Sequence, residues 1–421
     1  MKLTRGSREI RRVVVTGIGA VTPLGLSMEE TWQNLLRGQS GIAPITKFDT
    51  TLYDTKFAGE VKNFNADAFI PKKEQKKMDT FIQYAVAATK MALDDAKLEL
   101  TEEVKNTTGT FIGVGMGGLP FIEEQFAKIT EKGPSRISPF FIPAVITNMA
   151  SGQVSILFGL RGTSYSITSA CATGAHSIGE AYNAIRYGQN DVMIAGGAEA
   201  TVCPMAIGGF GAMRALSTRN DDPTHASRPM DKDRDGFVLS EGCAIMVLES
   251  MEHAVKRGAR ILAEVSGYGA TADAYHMTSP APCGEGGQRS VMAALKDSGL
   301  KPSDIQYVNP HATSTPLGDE LETQALKAVF GDHAKKLWVN ATKSMIGHTL
   351  GAAGAIEGAI CVKVLEHQLS PPTINLVNPS EGCDLDYVTG EARTGKITHV
   401  LNNSFGFGGT NASLIFSKVD A

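Results

Sequence analysis

The sequence lacks paired cysteines. Its 421 residues include six cysteines, none in a C-x-x-C spacing and none close to another. This pattern excludes the disulfide framework of small secreted domains and gives no support to a structural zinc site. The sequence therefore predicts free thiols and a reducing compartment.

Long apolar runs are also lacking. No stretch approaches the roughly 18 apolar residues that a membrane-spanning helix needs. The basic segment 1–12 is followed by no apolar run with a cleavage site. We therefore expect a soluble, cytoplasmic protein without a membrane partner.

An excess of positive charge is missing as well. Lys and Arg total 40 against 44 Asp and Glu, a formal charge of -4, so no global field exists to hold nucleic acid. Any charged partner must be recognised locally.

The composition of the chain is rich in apolar residues and glycine. It has 42% hydrophobic residues and 45 glycines against 18 prolines. This composition predicts a large core and tight turns.

Short β-branched runs alternate with helical patterns along the chain. This alternation predicts an α/β layered fold with buried strands. Helices are predicted over 172–187 and 352–367, and a division near residue 258 gives the halves 1–258 and 259–421. The strand-like runs lie at 13–15, 111–114, 192–194, 245–248, 307–308, 338–339 and 400–401.

Cys171 carries the sharpest signal for chemistry. An apolar run at 165–167 gives way at once to the motif T-S-A-C-A-T-G and to the predicted helix. Free backbone N–H groups and the positive dipole end at a helix N-terminus stabilise a thiolate. The small neighbours leave the sulfur open to a substrate. We therefore interpret Cys171 as a nucleophile and the other five cysteines as packing residues.

Two of the nine histidines stand apart from the rest. His311 follows a strand-like run and precedes a polar turn, and His348 lies just before the small-residue helix, where a positive helix end favours the neutral imidazole. Taken alone, each position fits the core as well as a site. A zinc site built from one cysteine and two histidines is disfavoured, because no short paired spacing supports it.

Two glycine-rich segments differ in how well they fit a binding function. The segment 113–118 fails the G-x-G-x-x-G spacing of dinucleotide-binding turns, so that signal is weak. The segment 402–411 is a polar loop with glycines on both sides of Phe407. Those glycines allow the backbone N–H of Phe407 to face a ligand and its ring to swing. We favour this interpretation over a plain hairpin turn.

Four motifs occur in one order over nearly the whole chain: T-S-A-C-A-T-G, P-H-A-T-S-T, K-S-M-I-G-H and N-S-F-G-F-G-G-T-N. Together they resemble the β-ketoacyl-acyl carrier protein synthases, above all the second, elongating type of bacterial fatty acid synthesis. The resemblance implies a thiolase-like fold, with two pseudo-symmetric halves in an α-β-α-β-α arrangement, and a homodimer. The chain departs from the family at Ala312, usually Gly, and at Pro310, often Ala.

The resemblance also implies a reaction and the residues that perform it. An acyl group is taken up by Cys171, and malonyl-acyl carrier protein then loses carbon dioxide to give the enolate that attacks it, with ping-pong kinetics. Backbone N–H groups of Cys171 and Phe407 match one oxyanion hole, and Phe407 also matches the gating aromatic. The implied catalytic residues are Cys171, His311, His348, Lys343 and Phe407, with Glu357 as the charge partner of Lys343.

No cofactor is required by this chemistry, since the substrates arrive on the phosphopantetheine of acyl carrier protein. By resemblance, Thr313 and Thr315 bind the pantetheine arm, while Met116, Phe210 and Thr278 lie near the acyl tunnel and its mouth. A structural monovalent or divalent cation, without a role in the chemistry, is implied at Asn309, Glu357, Asn402 and Asn403.

Acyl carrier protein is acidic, so docking on this slightly acidic chain needs a local basic patch. The lysines at 72, 73, 76 and 77 are spaced to share one helical face. From the residues alone a solvated face is the simpler interpretation, and the resemblance favours docking. The implied docking residues are Lys73, Lys76, Lys77, Arg136 and Arg214.

Three other functions fit the sequence less well. A degradative thiolase needs a second reactive cysteine where this chain has Phe407. A non-catalytic chain-length factor replaces the nucleophile, and Cys171 is present. A cysteine hydrolase needs one His oriented by Asp or Asn, whereas a second His and the Phe407 loop suit condensation. The preferred chain length, and the choice between fatty acid and discrete polyketide pathways, stay open.

Overall fold

Strands and helices alternate along residues 10–419, the part of the chain that the computed structural model describes. Most of the basic segment 1–12 lies outside these residues. The strands are β1 Val13–Val21, β2 Ala43–Pro44, β3 Phe57–Ala58, β4 Thr108–Gly113, β5 Ser164–Tyr165, β6 Val192–Glu199, β7 Gly242–Ser250, β8 Ala263–Ala272, β9 Tyr307–Asn309, β10 Trp338–Val339, β11 Leu369–Ser370, β12 Arg393–Thr394, β13 His399–Gly406 and β14 Thr410–Ser417.

The two helices predicted from the sequence, 172–187 and 352–367, are both present, as α8 and α14. The helices are α1 Met28–Leu36, α2 Lys72–Gln75, α3 Thr80–Ala96, α4 Glu102–Thr107, α5 Leu119–Lys132, α6 Phe141–Val145, α7 Met149–Phe158, α8 Thr173–Arg186, α9 Pro204–Ala212, α10 Met251–Lys256, α11 Glu285–Ser298, α12 Pro316–Phe330, α13 Lys343–Ile346 and α14 Ala353–His367.

Ten strands hydrogen-bond in the order β10-β9-β13-β14-β8-β1-β7-β6-β4-β5. The last five in this order, from β1 to β5, come from residues before 258 and the first five from residues after it. The two sets meet where β1 and β8 pair at only three positions, 13–15 with 263–265. Central pairs are antiparallel and the outer pairs, such as β4 with β5 and β9 with β10, are parallel. The sheet is therefore mixed.

Helices α8 and α14 lie against each other between the two sets of strands, α8 on β6 and α14 on β13. Helix α3 covers the other face of β1 and β7, and α11 covers β8 and β14. The central pair packs closely because a Cβ on Gly174 would lie 2.7 Å from the backbone nitrogen of Ala355, and one on Gly354 2.6 Å from that of Ala175. This crossing brings the N-terminal ends of both helices together at the site.

The layered α/β arrangement predicted from the alternation is confirmed, and every predicted strand-like run falls on a strand. One local prediction is wrong: the four clustered lysines do not share a helical face. Helix α2 is a single turn that begins after Pro71 and ends at Gln75, so Lys76 and Lys77 lie beyond it. Across residues 10–419, no helix has the length and apolar character needed to cross a membrane.

Candidate active site

Cys171 lies in a tight turn between β5 and α8. The turn is a short 3-10 segment, Ala170–Ala172, and Ala170 adopts a left-handed φ of 49°. The N–H of Ser169 donates to the hydroxyl of Thr173 and closes the turn at 2.8 Å. The sulfur is thus held rigidly at the start of α8, and the residue is only 9% exposed.

Burial and the nearby positive groups have opposite effects on the pKa of Cys171. Burial raises the pKa of the Cys171 thiol to about 12, although the positive charge of Lys343 and the backbone N–H groups of Phe407 and Cys171 act to lower it. Desolvation therefore favours the thiol and opposes the helix-end effect by which the sequence predicts a stabilised thiolate.

His348 and His311 both face the sulfur. Nε2 of His348 is 3.0 Å from Sγ of Cys171, and the rings of His311 and His348 meet edge to face with centroids 5.2 Å apart. Burial, together with the positive charge of Lys343, holds the pKa of both imidazoles well below the ordinary value of 6.5. Both rings are therefore neutral near pH 7, as the sequence argument for His348 predicted.

The same three side chains form a group that could bind a soft metal. One atom of each of Cys171, His311 and His348 lies within 4.8 Å of the others, and no second group of His, Cys and acidic side chains within residues 10–419 is this compact. The neighbouring positive charge of Lys343 opposes a divalent cation here. The sequence spacing disfavoured zinc, but the tertiary structure creates the cluster that the spacing hides.

Lys343 and Glu357 form a buried ion pair. Each side chain is 3% exposed, and Nζ of Lys343 donates to Oε1 of Glu357. Burial raises the pKa of Glu357 to about 7, against the lowering effect of Lys343. The pair lies where the resemblance implies supporting charges, and the positive end acts on Cys171 and on both histidines.

The residues implied for a cation show a matching set of unpartnered oxygens. Asn309 and Asn402 are paired in register on β9 and β13. The Oδ1 atoms of both, like Oε2 of Glu357, are buried and have no hydrogen-bond partner within residues 10–419. Asn403 differs, because its Oδ1 accepts from Ser413. The donor set therefore fits an oxygen-liganded cation through three of the four implied residues.

The glycine-rich segment lies beside the sulfur as a tight hairpin turn, 407–409, that joins the antiparallel strands β13 and β14. The prediction of a polar loop over 402–411 in place of a hairpin turn is therefore wrong, because most of that segment is paired as strand. The backbone N–H groups of Phe407 and Cys171 both act on the thiol, so they converge at the position of the implied oxyanion hole. Gly406 packs against the turn, since a Cβ there would lie 2.8 Å from the carbonyl oxygen of Ser169. Gly408 has a φ of 85°, and the Phe407 side chain is 37% exposed. The loop leaves room for the ring to move.

Two cavities meet at Cys171. The acyl-side cavity is mostly apolar and lined by residues that include Met116, Met205, Ala206 and Phe210. The His-side cavity is lined by residues that include His311, Thr313, Thr315 and Arg214. Residues that line both are Cys171, Phe210, Met213, Leu350 and Phe407.

The substrate residues implied by resemblance divide between these cavities. Met116 and Phe210 line the acyl-side cavity, whereas Thr278 lines the His-side cavity with Thr313 and Thr315. The hydroxyls of Thr313 and Thr315 lie 3.0 Å apart, so the two can bind a single polar chain.

The implied docking residues differ in how their charges are used. Lys77 is paired with Glu74 at 2.7 Å and lies 5.9 Å from the centre of the Phe140 ring. Lys73, Lys76, Arg136 and Arg214 have no carboxylate within ion-pair distance among residues 10–419, and Lys73, Lys76 and Arg136 are exposed. These four cations remain available to an acidic partner.

Two buried carboxylates next to the site were missed at the sequence level. Glu322 accepts the backbone N–H groups of His311 and Ala312 at 2.8 and 2.7 Å and so fixes the loop that carries His311. Glu199, at the end of β6, accepts three backbone N–H groups. For Glu199 the sequence did contain a signal: an acidic residue at the end of a wholly apolar strand is uncommon unless the carboxylate has buried partners.

Two family models match this chain. The model described as Beta-ketoacyl synthase, N-terminal domain matches residues 10–254, and the one described as Beta-ketoacyl synthase, C-terminal domain matches residues 262–377.

Curated relatives match nearly end to end. The protein named 3-oxoacyl-[acyl-carrier-protein] synthase 2 of Coxiella burnetii is 52% identical over 411 residues, covering 98% of this chain and 99% of that protein. The protein of the same name from Synechocystis sp. is 50% identical over 410 residues, covering 97% of this chain and 99% of its own length.

Solved structures with the same fold include two ketosynthases. A ketosynthase of a type II polyketide synthase, solved in complex with its acyl carrier protein and bound to a hexaketide, superposes with a TM-score of 0.91 at 35% identity, covering 98% of this chain and 100% of that chain. The ishigamide ketosynthase/chain length factor gives a TM-score of 0.91 at 36% identity, with the same coverage. The predicted thiolase-like fold is confirmed.

Proposed function

This chain belongs to the β-ketoacyl synthase family, and we propose that it catalyses the decarboxylating condensation of an acyl group on Cys171 with malonyl-acyl carrier protein. The product is a β-ketoacyl-acyl carrier protein, formed in the elongation step of fatty acid synthesis. One observation carries the proposal: a single sulfur is faced by two neutral imidazoles where two cavities meet. A hydrolase has no use for the second imidazole.

In the first half-reaction, Cys171 attacks the thioester carbonyl of the acyl carrier. Because burial favours the thiol, its proton moves to Nε2 of His348 as the S–C bond forms. The N–H groups of Cys171 and Phe407 stabilise the tetrahedral oxyanion, and losing one such donor costs about 3 kcal/mol of barrier. The carrier sulfur then leaves and takes the proton from His348.

In the second half-reaction, the C–C bond of the malonyl group breaks and carbon dioxide leaves. The electron pair forms an enolate, whose oxygen accepts N–H bonds from His311 and His348. Neutral imidazole exchanges its ring proton with water between the half-reactions, so Nε2 of His348 can donate at this stage. The enolate carbon then attacks the acyl carbonyl, the C–S bond to Cys171 breaks, and the sulfur takes up from solvent the one proton that the condensation consumes.

The pathway follows from the curated relatives. Relatives at 50% identity and above are named 3-oxoacyl-[acyl-carrier-protein] synthase 2, whereas the ketosynthase of a type II polyketide synthase reaches 35%. Fatty acid elongation is therefore favoured over a discrete polyketide pathway.

Acyl carrier protein is the proposed partner. One structural relative was solved in complex with its own carrier, and Lys73, Lys76, Arg136 and Arg214 supply unpaired positive charge on the present chain. Arg214 also lines the His-side cavity, where a phosphopantetheine arm would reach Thr313 and Thr315. Surface complementarity of this kind raises the association rate and makes it sensitive to salt.

A second copy of the chain is proposed as a further partner. Strand β5 lies at the edge of the ten-stranded sheet and pairs only with β4. Apolar side chains are exposed on and near it: Tyr165 is 45% exposed, Ile142 60% and Ile156 70%. An open strand edge beside exposed apolar residues is a liability in a monomer, and pairing with an identical edge covers it.

A structural cation is proposed at Asn309, Asn402 and Glu357. The support is the set of buried oxygens without hydrogen-bond partners, since such atoms lose free energy unless an ion or water satisfies them. Such a cation would hold β9, β13 and α14 together behind His311. It supplies no step of the condensation.

The decisive experiment is intact-mass analysis. The protein is incubated with acyl carrier proteins loaded with chains of several lengths, and the mass gain on Cys171 reports acylation and chain preference together. Malonyl carrier protein is then added, and a β-ketoacyl carrier product is expected. Acylation followed only by release of free acid would indicate a hydrolase and contradict the proposal.

A further inference from the structure

Glu199 is a buried carboxylate that the proposed reaction does not use. It ends β6 and is fully buried, and it has no cationic partner within residues 10–419. Its Oε2 accepts the N–H groups of Gly115 and Gly351 at 3.0 and 3.1 Å, and its Oε1 accepts that of Met116 at 3.1 Å. Three hydrogen bonds from two distant segments therefore end on one side chain.

The two segments are built to approach this carboxylate. A Cβ on Gly115 would overlap the Glu199 carboxylate, and one on Gly351 would lie 2.8 Å from Oε2. The same Cβ on Gly351 would overlap the backbone nitrogen of Gly115. Only glycine fits at both positions, so the junction is a specific feature of the packing.

Each segment carries a different part of the site. Met116 lines the acyl-side cavity. Gly351 lies three residues after His348, in the turn Leu350–Ala352, and Leu350 lines both cavities. Glu199 therefore connects the wall that contacts an acyl chain with the turn that follows His348.

We propose that Glu199 is a positioning residue for chain-length selection, which holds Met116 and the turn after His348 in one fixed arrangement. This inference rests on the proposed acyl transfer and goes beyond it, because it assigns selectivity to a residue that touches no substrate.

The electrostatics of the junction supply an independent readout. The negative charge of Glu199 raises the pKa of Cys171, and Lys343 acts in the opposite direction. Burial raises the pKa of Glu199 itself to about 7, with Asp79 adding to the rise and the three backbone N–H groups acting against it. Removing the carboxylate should therefore make the Cys171 thiol easier to ionise.

The test variant is Glu199→Gln, which keeps the shape and removes the charge. Its amide oxygen can replace only one carboxylate oxygen, so its NH₂ group faces a backbone N–H. If the amide oxygen takes the place of Oε2, which accepts two N–H groups, the N–H of Met116 loses its acceptor. A lost buried hydrogen bond corresponds to roughly a fivefold to tenfold change in an equilibrium or rate ratio.

Two measurements are made on the full chain. Intact-mass acylation over a chain-length series should show the ratio between the best and worst chain lengths shrinking by roughly fivefold to tenfold. Alkylation of Cys171 by iodoacetamide as a function of pH should show a midpoint shifted to lower pH. The second measurement needs no acyl transfer, so failure of the proposed function is distinguishable from failure of this inference.

The matched control is Glu241→Gln, another fully buried carboxylate, which accepts from Val61 N–H and Lys47 rather than at the site. It should lower thermal stability without changing either readout.

A second variant, Glu199→Asp, is used if Glu199→Gln folds poorly. It keeps the charge but withdraws the carboxylate oxygens, so it should alter the chain-length ratio without lowering the alkylation midpoint. An unchanged ratio in both Glu199 variants, or a midpoint in Glu199→Gln equal to that of Glu241→Gln, would overturn the proposal.

Discussion

The two cavities that share Cys171 differ in their chemistry. The acyl-side cavity is lined by Met116, Met205 and Phe210 and offers shape and apolar surface. The His-side cavity adds His311 and the hydroxyls of Thr313 and Thr315. Selecting an acyl chain requires only fit, whereas forming an enolate requires donors aimed at a developing charge. We therefore expect acyl-chain selection and enolate formation to depend on different cavities. A variant in one cavity should then alter one half-reaction and leave the other nearly unchanged.

Replacement of the shared residue should have the largest effect. Cys171→Ala removes the thiol that both cavities share, so acyl-enzyme formation should be abolished. Intact mass after incubation with acyl carrier protein measures this directly, and Cys243→Ala, at a buried cysteine in β7, serves as the control. A thioester-linked mass gain in Cys171→Ala would refute the assignment of the nucleophile.

A second replacement at the same position should separate the two cavities. The amide of Cys171→Gln can mimic an acylated cysteine, while His311 and His348 still face the enolate position. We expect a protein that releases carbon dioxide from malonyl carrier protein but forms no condensation product. Absence of carbon dioxide release would show that the His-side cavity does not act independently of the sulfur.

His311→Ala should damage only the His-side cavity. It is His348 whose Nε2 lies 3.0 Å from the sulfur, so self-acylation should persist, whereas decarboxylation should fall by about 10²–10³ for the loss of one donor. Acylation is followed by mass and decarboxylation by carbon dioxide release, with exposed His225→Ala as the control. An equal loss in both steps would indicate that His311 acts as the base for Cys171.

Met116→Phe should damage only the acyl-side cavity. A bulkier ring shortens the space for the chain, and overpacking of this kind costs about 1–3 kcal/mol. Acylation by long chains should therefore fall about tenfold or more, with short chains and decarboxylation nearly unaffected. Met292→Phe, at an exposed position on α11, should change nothing, and an equal loss over all chain lengths would show that Met116 does not limit the tunnel.

Ala312→Gly should have the smallest effect. Ala312 has a left-handed φ of 30°, which is strained for alanine and costs about 1–2 kcal/mol. Relief of that strain offsets the greater freedom of glycine in the unfolded chain, so the unfolding free energy should change by less than about 1 kcal/mol. The control Ala127→Gly, at an exposed position inside α5, should lose about 1 kcal/mol. Chemical denaturation compares the two, and an equal loss would show that Ala312 is not strained.

Local patterns were sufficient for much of the fold and for the reactive positions. The helix after Cys171 and the helix after His348 begin within one residue of their predicted starts, because small residues and turn motifs mark both. The lysine cluster misled because periodicity does not reveal that Pro71 starts a helix of one turn.

The sequence by itself determined the chemistry available to this protein: one cysteine at a strand-to-helix turn, two histidines in polar turns and a glycine loop around Phe407. Only the tertiary structure decided how strongly each group is desolvated. Burial raises the pKa of Cys171 and lowers the pKa of both imidazoles, since desolvation depends on everything packed around a group. The junction at Glu199 likewise joins segments more than 230 residues apart, Gly115 and Gly351, and no local pattern specifies a contact over that separation.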